Sequence, residues 1–123
     1  MANKGLLLCV CQGTCPSFHK MNVFEVLNEL RREKLIDLVA VHPQLCADDG
    51  DQFLQTFLSG HQIDRLYVAG CSPTMQEKMF RDSFTKAGFD IKNFVGIEIR
   101  NLDTNQAIEI IKKGIQNDIK GAT

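Results

Sequence analysis

The sequence predicts a small doubly wound α/β domain, with four parallel strands and helices on both faces. Three observations lead there. The chain has 123 residues, 44% hydrophobic and 24% charged, the size and make-up of one globular domain with a core of its own. Short β-rich apolar runs alternate strictly with amphipathic stretches, four of each. Helix-start signals stand at Asn22, Ser72 and Asp103, where that alternation needs them. Strand and helix in strict alternation imply parallel strands joined by right-handed crossovers, the small Rossmann-like arrangement. Residues 1–123 are read as a single domain, with strand order 2-1-3-4.

Leu6-Leu7-Leu8-Cys9-Val10 is a continuous apolar run, as expected of a strand covered on both faces. A loop with Gly13 and Pro16 follows. Asn22, with Glu25 three residues on, has capping-box spacing, and Val23, Val26, Leu27 and Leu30 recur at helical intervals behind it. Ile36 to Val41 reads as the second strand. Asp49 and Gln52 are placed to cap a second helix carrying Phe53, Leu54, Phe57 and Leu58, which Gly60 ends. Arg65 to Ala69 is the third strand. Ser72 then serves as N-cap before Pro73, and Met75, Met79, Phe80 and Phe84 form the buried stripe of a helix that Gly88 stops. Phe94 to Ile99 is the fourth strand. Asp103 and Gln106 cap a last helix with Ile108, Ile111, Ile115 and Ile119 on one face.

Composition narrows the function. Fourteen Lys and Arg against fifteen Asp and Glu give a net charge of −1, which argues against a nucleic-acid binder. No apolar run approaches the roughly 20 residues that span a bilayer. The start, Met1-Ala2-Asn3-Lys4-Gly5, leads into a short apolar run without a signal-peptide cleavage pattern, so a cytoplasmic protein is expected. Five cysteines in a reducing compartment then point to metal ligation, redox chemistry or plain burial rather than to disulfide staples.

Their placement is the functional signal. In an open parallel sheet, ligands gather at the carboxyl ends of the strands. Cys9 and Cys11 fall at the end of the first strand, Cys46 just after the second, and Cys71 directly after the third. Neighbouring strands lie about 4.8 Å apart, so thiols on three of them can converge on one small ion or cluster. Burial alone explains Cys9 in an apolar strand, but it explains the loop cysteines less well. Cys15 lies further into the first loop and can swing in or out. An all-sulfur set favours iron–sulfur or zinc over hard cations. One dense group followed by single distant cysteines suits an iron–sulfur centre better than a zinc finger with its paired ligands.

The segments Cys9-Val10-Cys11-Gln12-Gly13, Leu45-Cys46 and Val68-Ala69-Gly70-Cys71-Ser72-Pro73 resemble the amino-terminal domain of the A-type subunit of heterodisulfide reductase. The resemblance runs on through Glu77, Phe80-Arg81, Ala87-Gly88-Phe89 and Ile99-Arg100. It implies a cytoplasmic electron-transfer system in which this domain carries an iron–sulfur cluster of the 4Fe–4S type. The implied ligands are Cys9, Cys11, Cys46 and Cys71. The implied partners are other subunits or domains of a reductase complex, a flavoprotein among them. The chain departs from the family at Thr74, Gln76 and Lys78, where Arg, His and Pro are usual. It also has Asn101-Leu102-Asp103-Thr104-Asn105 in place of a Cys-Ser-Trp-Val-His stretch. No G-x-G-x-x-G follows a strand, so no dinucleotide site is expected.

Other residues are read more plainly. His19, His42 and His61 are taken as water-facing, although His42 and His19 fall near the cysteines and could act as base or ligand. Asp48, Asp49 and Asp51 are read as favouring a helix start rather than as a calcium loop. Two function classes follow: a non-catalytic electron-transfer domain holding a cluster, and a thiol/disulfide redox protein using Cys71, with a zinc-stabilised interaction module as a weaker third. Cys71 directly precedes a helix, whose N-terminus favours a thiolate.

Overall fold

The computed structural model describes residues 3–10, 18–42, 45 and 47–121. Four strands are present: β1 (Lys4–Cys9), β2 (Leu38–His42), β3 (Arg65–Gly70) and β4 (Phe94–Glu98). Four helices alternate with them: α1 (Val23–Glu33), α2 (Asp48–Gly60), α3 (Pro73–Ala87) and α4 (Thr104–Gly121). A short 3-10 turn at Ile91–Asn93 leads into β4. The strands form one sheet in the order β2-β1-β3-β4, every pair parallel, as the alternation predicted.

Side-chain alternation along β1 and β3 divides the core in two. Leu6, Leu8, Tyr67 and Ala69 face Val26 and Leu30 of α1 and Ile111 and Ile115 of α4. Leu7, Cys9, Leu66 and Val68 face Leu54 and Phe57 of α2 and Phe80 and Phe84 of α3. Helices therefore cover both faces of the sheet. That is why the central strands read as unbroken apolar runs rather than as alternating ones. Each fully buried Leu, Ile or Phe side chain contributes about 1.5–3 kcal/mol of transfer free energy.

The helix starts show which sequence signals the fold uses. Asn22 Oδ1 accepts from the Glu25 amide at 3.2 Å, while the Asn22 amide donates to Thr104 Oγ1 at 2.8 Å and ties the start of α1 to that of α4. Asp103 and Gln106 form a complete capping box: the Gln106 amide donates to Asp103 Oδ1 at 2.8 Å, and the Asp103 amide to Gln106 Oε1 at 3.0 Å. Two expectations change. The N-cap of α2 is Ala47, ahead of Asp49, and the helix start is favoured by the acidic residues of its first turn rather than by a capping side chain. Ser72 does occupy the N-cap of α3, with Pro73 behind it, but its side chain makes no capping bond.

The inward stripe of α3 keeps Phe80 and Phe84 as predicted, with Met79 partly buried against the core, but departs from the prediction at Met75. Met75 is 51% exposed, and the inward stripe is Gln76, Phe80, Ser83 and Phe84. The two large rings set the rotation of the helix. The residue one turn before Phe80 is Gln76, so Met75 is turned outward by about 100°.

Candidate metal centre

Because every strand runs the same way, all four carboxyl ends share one edge of the sheet. Cys9 ends β1 and pairs in register with His42, which ends β2. Gly70 ends β3, and Cys71 follows it. Cys9 is buried on the α2/α3 side, where the Leu45 amide donates to its sulfur at 3.3 Å. Gly70 permits the close approach on the other flank. A Cβ there would stand 2.9 Å from the Cys9 carbonyl oxygen and 3.3 Å from the Cys9 Cβ, closer than a side chain tolerates. The Ile99 amide donates to the Gly70 carbonyl at 2.9 Å and carries the β3–β4 pairing one step past the strands.

Cys71 bridges strand and helix and is partly buried. Its carbonyl accepts from Gln76 Nε2 at 2.7 Å. Beneath this turn, Pro73 rests directly on β4: a Cβ on Gly96 would stand 2.8 Å from the Pro73 Cβ. The first turn of α3 is thus seated on backbone, and its N-terminal end adjoins Cys71. The partial positive charge of a helix N-terminus favours the anionic form of such a thiol.

The structure therefore places Cys9 and Cys71 at the predicted edge, on adjacent strands. Cys11, Cys15 and Cys46 lie outside the described residues. Among the described residues, no group of three or more His, Cys, Asp or Glu side chains is gathered to hold a metal ion. The donors that are described are of the kind that zinc and iron–sulfur centres share. They are soft sulfurs, one of them receiving a backbone N–H bond and packed against apolar side chains.

His42 differs from its reading as a water-facing loop residue. It is the last residue of β2 and is buried, with Nε2 3.3 Å from Asp49 Oδ2 and its ring centre 5.0 Å from that of Phe53. Its burial follows from the strand's extending one residue beyond the apolar run. Asp51 accepts from the Ser83 hydroxyl at 2.7 Å, joining α2 to α3. These two acidic residues thus have protein partners of their own. His19 and His61 are exposed, as expected.

A polar cluster at the opposite end of β3 was not foreseen. Asp118 of α4 receives Tyr67 OH at 2.6 Å and Arg65 Nε at 2.8 Å, with a second, shorter bond from the same guanidinium. Arg65 also donates to the Lys92 carbonyl at 3.1 Å. The one available signal was Asp118 itself, three residues after Ile115 on the apolar stripe of α4.

Fold and edge together define a Rossmann-like α/β domain with cysteines at the carboxyl ends of its two central strands. No family model matches the chain. It is similar to the A-type subunits of several heterodisulfide reductases. It is 29% identical over 84 residues to the first A-type iron–sulfur subunit of the CoB–CoM heterodisulfide reductase of Methanopyrus kandleri, covering 68% of this chain and 12% of that protein. It is 28% identical over 92 residues to the A-type subunit of the H(2)/formate:CoB-CoM heterodisulfide,ferredoxin reductase of Methanococcus maripaludis, covering 66% and 14%. With the A-type subunit of the Ferredoxin/F(420)H(2)-dependent CoB-CoM heterodisulfide reductase of Methanosarcina acetivorans the identity is 27% over 123 residues, covering 90% and 15%. The chain thus spans 12–15% of the length of these relatives. No helix among the described residues is long and apolar enough to cross a membrane.

Proposed function

We propose that residues 1–123 form one iron–sulfur electron-transfer domain, equivalent to the amino-terminal domain of the A-type subunit of heterodisulfide reductase. Its ligands are Cys9, Cys11, Cys46 and Cys71, with Cys15 in reserve, and its cofactor is a 4Fe–4S cluster. It works in the cytoplasm beside other subunits or domains of a reductase, including a flavoprotein. The observation that carries this reading is the placement of Cys9 and Cys71 at the same edge on neighbouring strands, with Gly70 letting the two backbones close up. Cys46 adds support by its place in the chain: it is bonded to Leu45, whose amide already reaches the Cys9 sulfur. The names of the similar proteins, iron–sulfur subunits of heterodisulfide reductases, agree with it.

A bound cluster supplies one-electron transfer without a change of covalent structure. The chain's own residues do the rest. The Leu45 amide lowers the electron density on the Cys9 sulfur and so favours the reduced state of whatever that sulfur binds. The apolar packing around Cys9 keeps water from one side of the site, and the N-terminal end of α3 favours a thiolate at Cys71. The same helix position supports the second reading, a thiol/disulfide redox protein acting through Cys71.

Reconstitution with iron and sulfide under anaerobic conditions decides between them. The expected result is broad visible absorption and a paramagnetic signal on reduction, both abolished by Cys46→Ser or Cys71→Ser and less affected by Cys15→Ser. Wild type that takes up no iron yet reduces a disulfide substrate through Cys71 replaces the cluster with the thiol reading. Uptake of zinc alone replaces it with a zinc-stabilised module.

A further inference from the structure

Gln76 is polar at a position where the helical pattern of α3 asks for an apolar side chain. It lies one turn before Phe80 on the inward face and is 1% exposed. Its Nε2 donates to the Cys71 carbonyl at 2.7 Å. Its Oε1 is the one buried side-chain nitrogen or oxygen among the described residues that has no hydrogen-bond partner. The orientation of the amide is set by the contact, because exchanging its two ends would press one carbonyl oxygen against another.

An acceptor buried without a donor is a net cost to folding. Methionine has nearly the same length and would remove that cost, giving up only the bond to the Cys71 carbonyl, so that bond is what glutamine contributes here. What the side chain does achieve is local. The Gln76 main-chain amide donates to the Ser72 carbonyl at 3.0 Å, and its side chain takes the preceding carbonyl, that of Cys71. One residue thus holds both carbonyls of the turn between β3 and α3. The amide head fits because residue 96 is glycine: a Cβ there would come within 3.2 Å of Gln76 Oε1 and 2.8 Å of Pro73 Cβ.

We propose that Gln76 is a positioning residue that clamps the β3–α3 turn and holds Cys71 in the conformation in which its sulfur serves the carboxyl edge. The proposal rests on the iron–sulfur reading for what that sulfur holds, but the clamp itself is a property of the metal-free chain. Its test is therefore independent of iron. The full chain, reduced and metal-free, is alkylated with iodoacetamide, and the Cys71 peptide is followed by mass spectrometry in wild type, Gln76→Met and Gln76→His.

Gln76→Met is expected to melt no lower than wild type and yet to alkylate faster at Cys71, by up to about tenfold, the factor one neutral hydrogen bond contributes to local closing. Gln76→His, whose ring N–H can reach the same carbonyl, returns the rate toward wild type. Cys9 reacts alike in all three. A residue needed only for packing would lower the melting temperature and leave the histidine variant no better than the methionine one. An unchanged Cys71 rate in Gln76→Met, or equal acceleration in both variants, overturns the clamp. The wild type provides a check without any substitution: the Gln76 side-chain amide protons exchange slowly, and exchange at the rate of an exposed glutamine overturns the proposal. Iron uptake by wild type is scored separately. Its failure removes the cluster reading and leaves the alkylation result standing, while an unchanged alkylation rate removes the clamp and leaves uptake standing.

Discussion

Asp118 stands in the last turns of α4, where the helix dipole disfavours a carboxylate, and on the face turned toward the sheet. Arg65 reverses that penalty. Its hydrogen bonds hold the Asp118 carboxyl below the usual value of 3.8, and Tyr67 OH adds to them. Tyr67 is pushed in turn from 10.0 up to about 12, first by burial and then by the carboxylate that its hydroxyl faces. Between those two values the unfolded chain has released a proton that the folded chain keeps, so stability falls as pH rises through this window. Asp118 acts at the other end of the scale: its contribution is present above 3.8 and is lost as pH falls through its lower folded value. The chain has one tyrosine and no tryptophan, so phenolate absorbance reports Tyr67 alone. It is expected to appear together with unfolding in an alkaline titration. Phenolate forming near 10.0 in a protein still folded would refute the assignment. Asp118→Asn is expected to cost about 2 kcal/mol, the scale of leaving buried partners poorly satisfied, and to lower the pH at which Tyr67 titrates.

The helices differ in how they begin, and stability should follow the bonds rather than the residue types. Asp103→Ala removes an acceptor that the Gln106 amide uses and is expected to cost about 1 kcal/mol in denaturant unfolding. Ser72→Ala removes no capping bond and is expected to cost a few tenths of that. Equal losses at the two positions would show that Ser72 caps in solution. At this scale much was legible in the sequence. Ile108, Ile111, Ile115 and Ile119 of α4 fall at helical spacing and pack in the core between helix and sheet, while Ile110, off that spacing, is exposed. The stripe of α3 was legible at Phe80, Phe84 and the partly buried Met79 but not at Met75, because residue type alone argues against burying Gln76 in its place. Two strand ends escaped for a related reason. Apolar runs mark only the buried middle of a strand, whereas β1 begins at the polar Lys4 and β2 ends at His42; the start of β3 at Arg65 was read correctly. The Arg65–Tyr67–Asp118 cluster joins residues more than fifty positions apart and has no local pattern.

At the scale of the molecule, topology was legible because parallel strands with right-handed crossovers leave few arrangements, and the carboxyl edge follows from topology alone. That edge belongs more to one half of the core than to the other. Cys9 and Leu45 pack with Leu54, Phe57 and Phe80 between the sheet and the α2/α3 layer, whereas Ile111 and Ile115 lie beyond the sheet with α1 and α4. Leu54→Ala and Ile111→Ala each remove a fully buried side chain and are each expected to cost about 2–5 kcal/mol. Sharing no partners across the sheet, they should combine additively to within about 0.5 kcal/mol. Their effects on the edge should differ. A cavity at Leu54 loosens the layer that holds the Leu45 amide against the Cys9 sulfur, so reconstituted Leu54→Ala is expected to lose its visible absorbance faster than wild type well below its melting temperature. Ile111→Ala, equally destabilised but altered on the far face, should retain it as wild type does. Equal retention by both variants at matched stability would mean that the proposed centre does not depend on the α2/α3 layer, and would count against Cys9 as one of its proposed ligands.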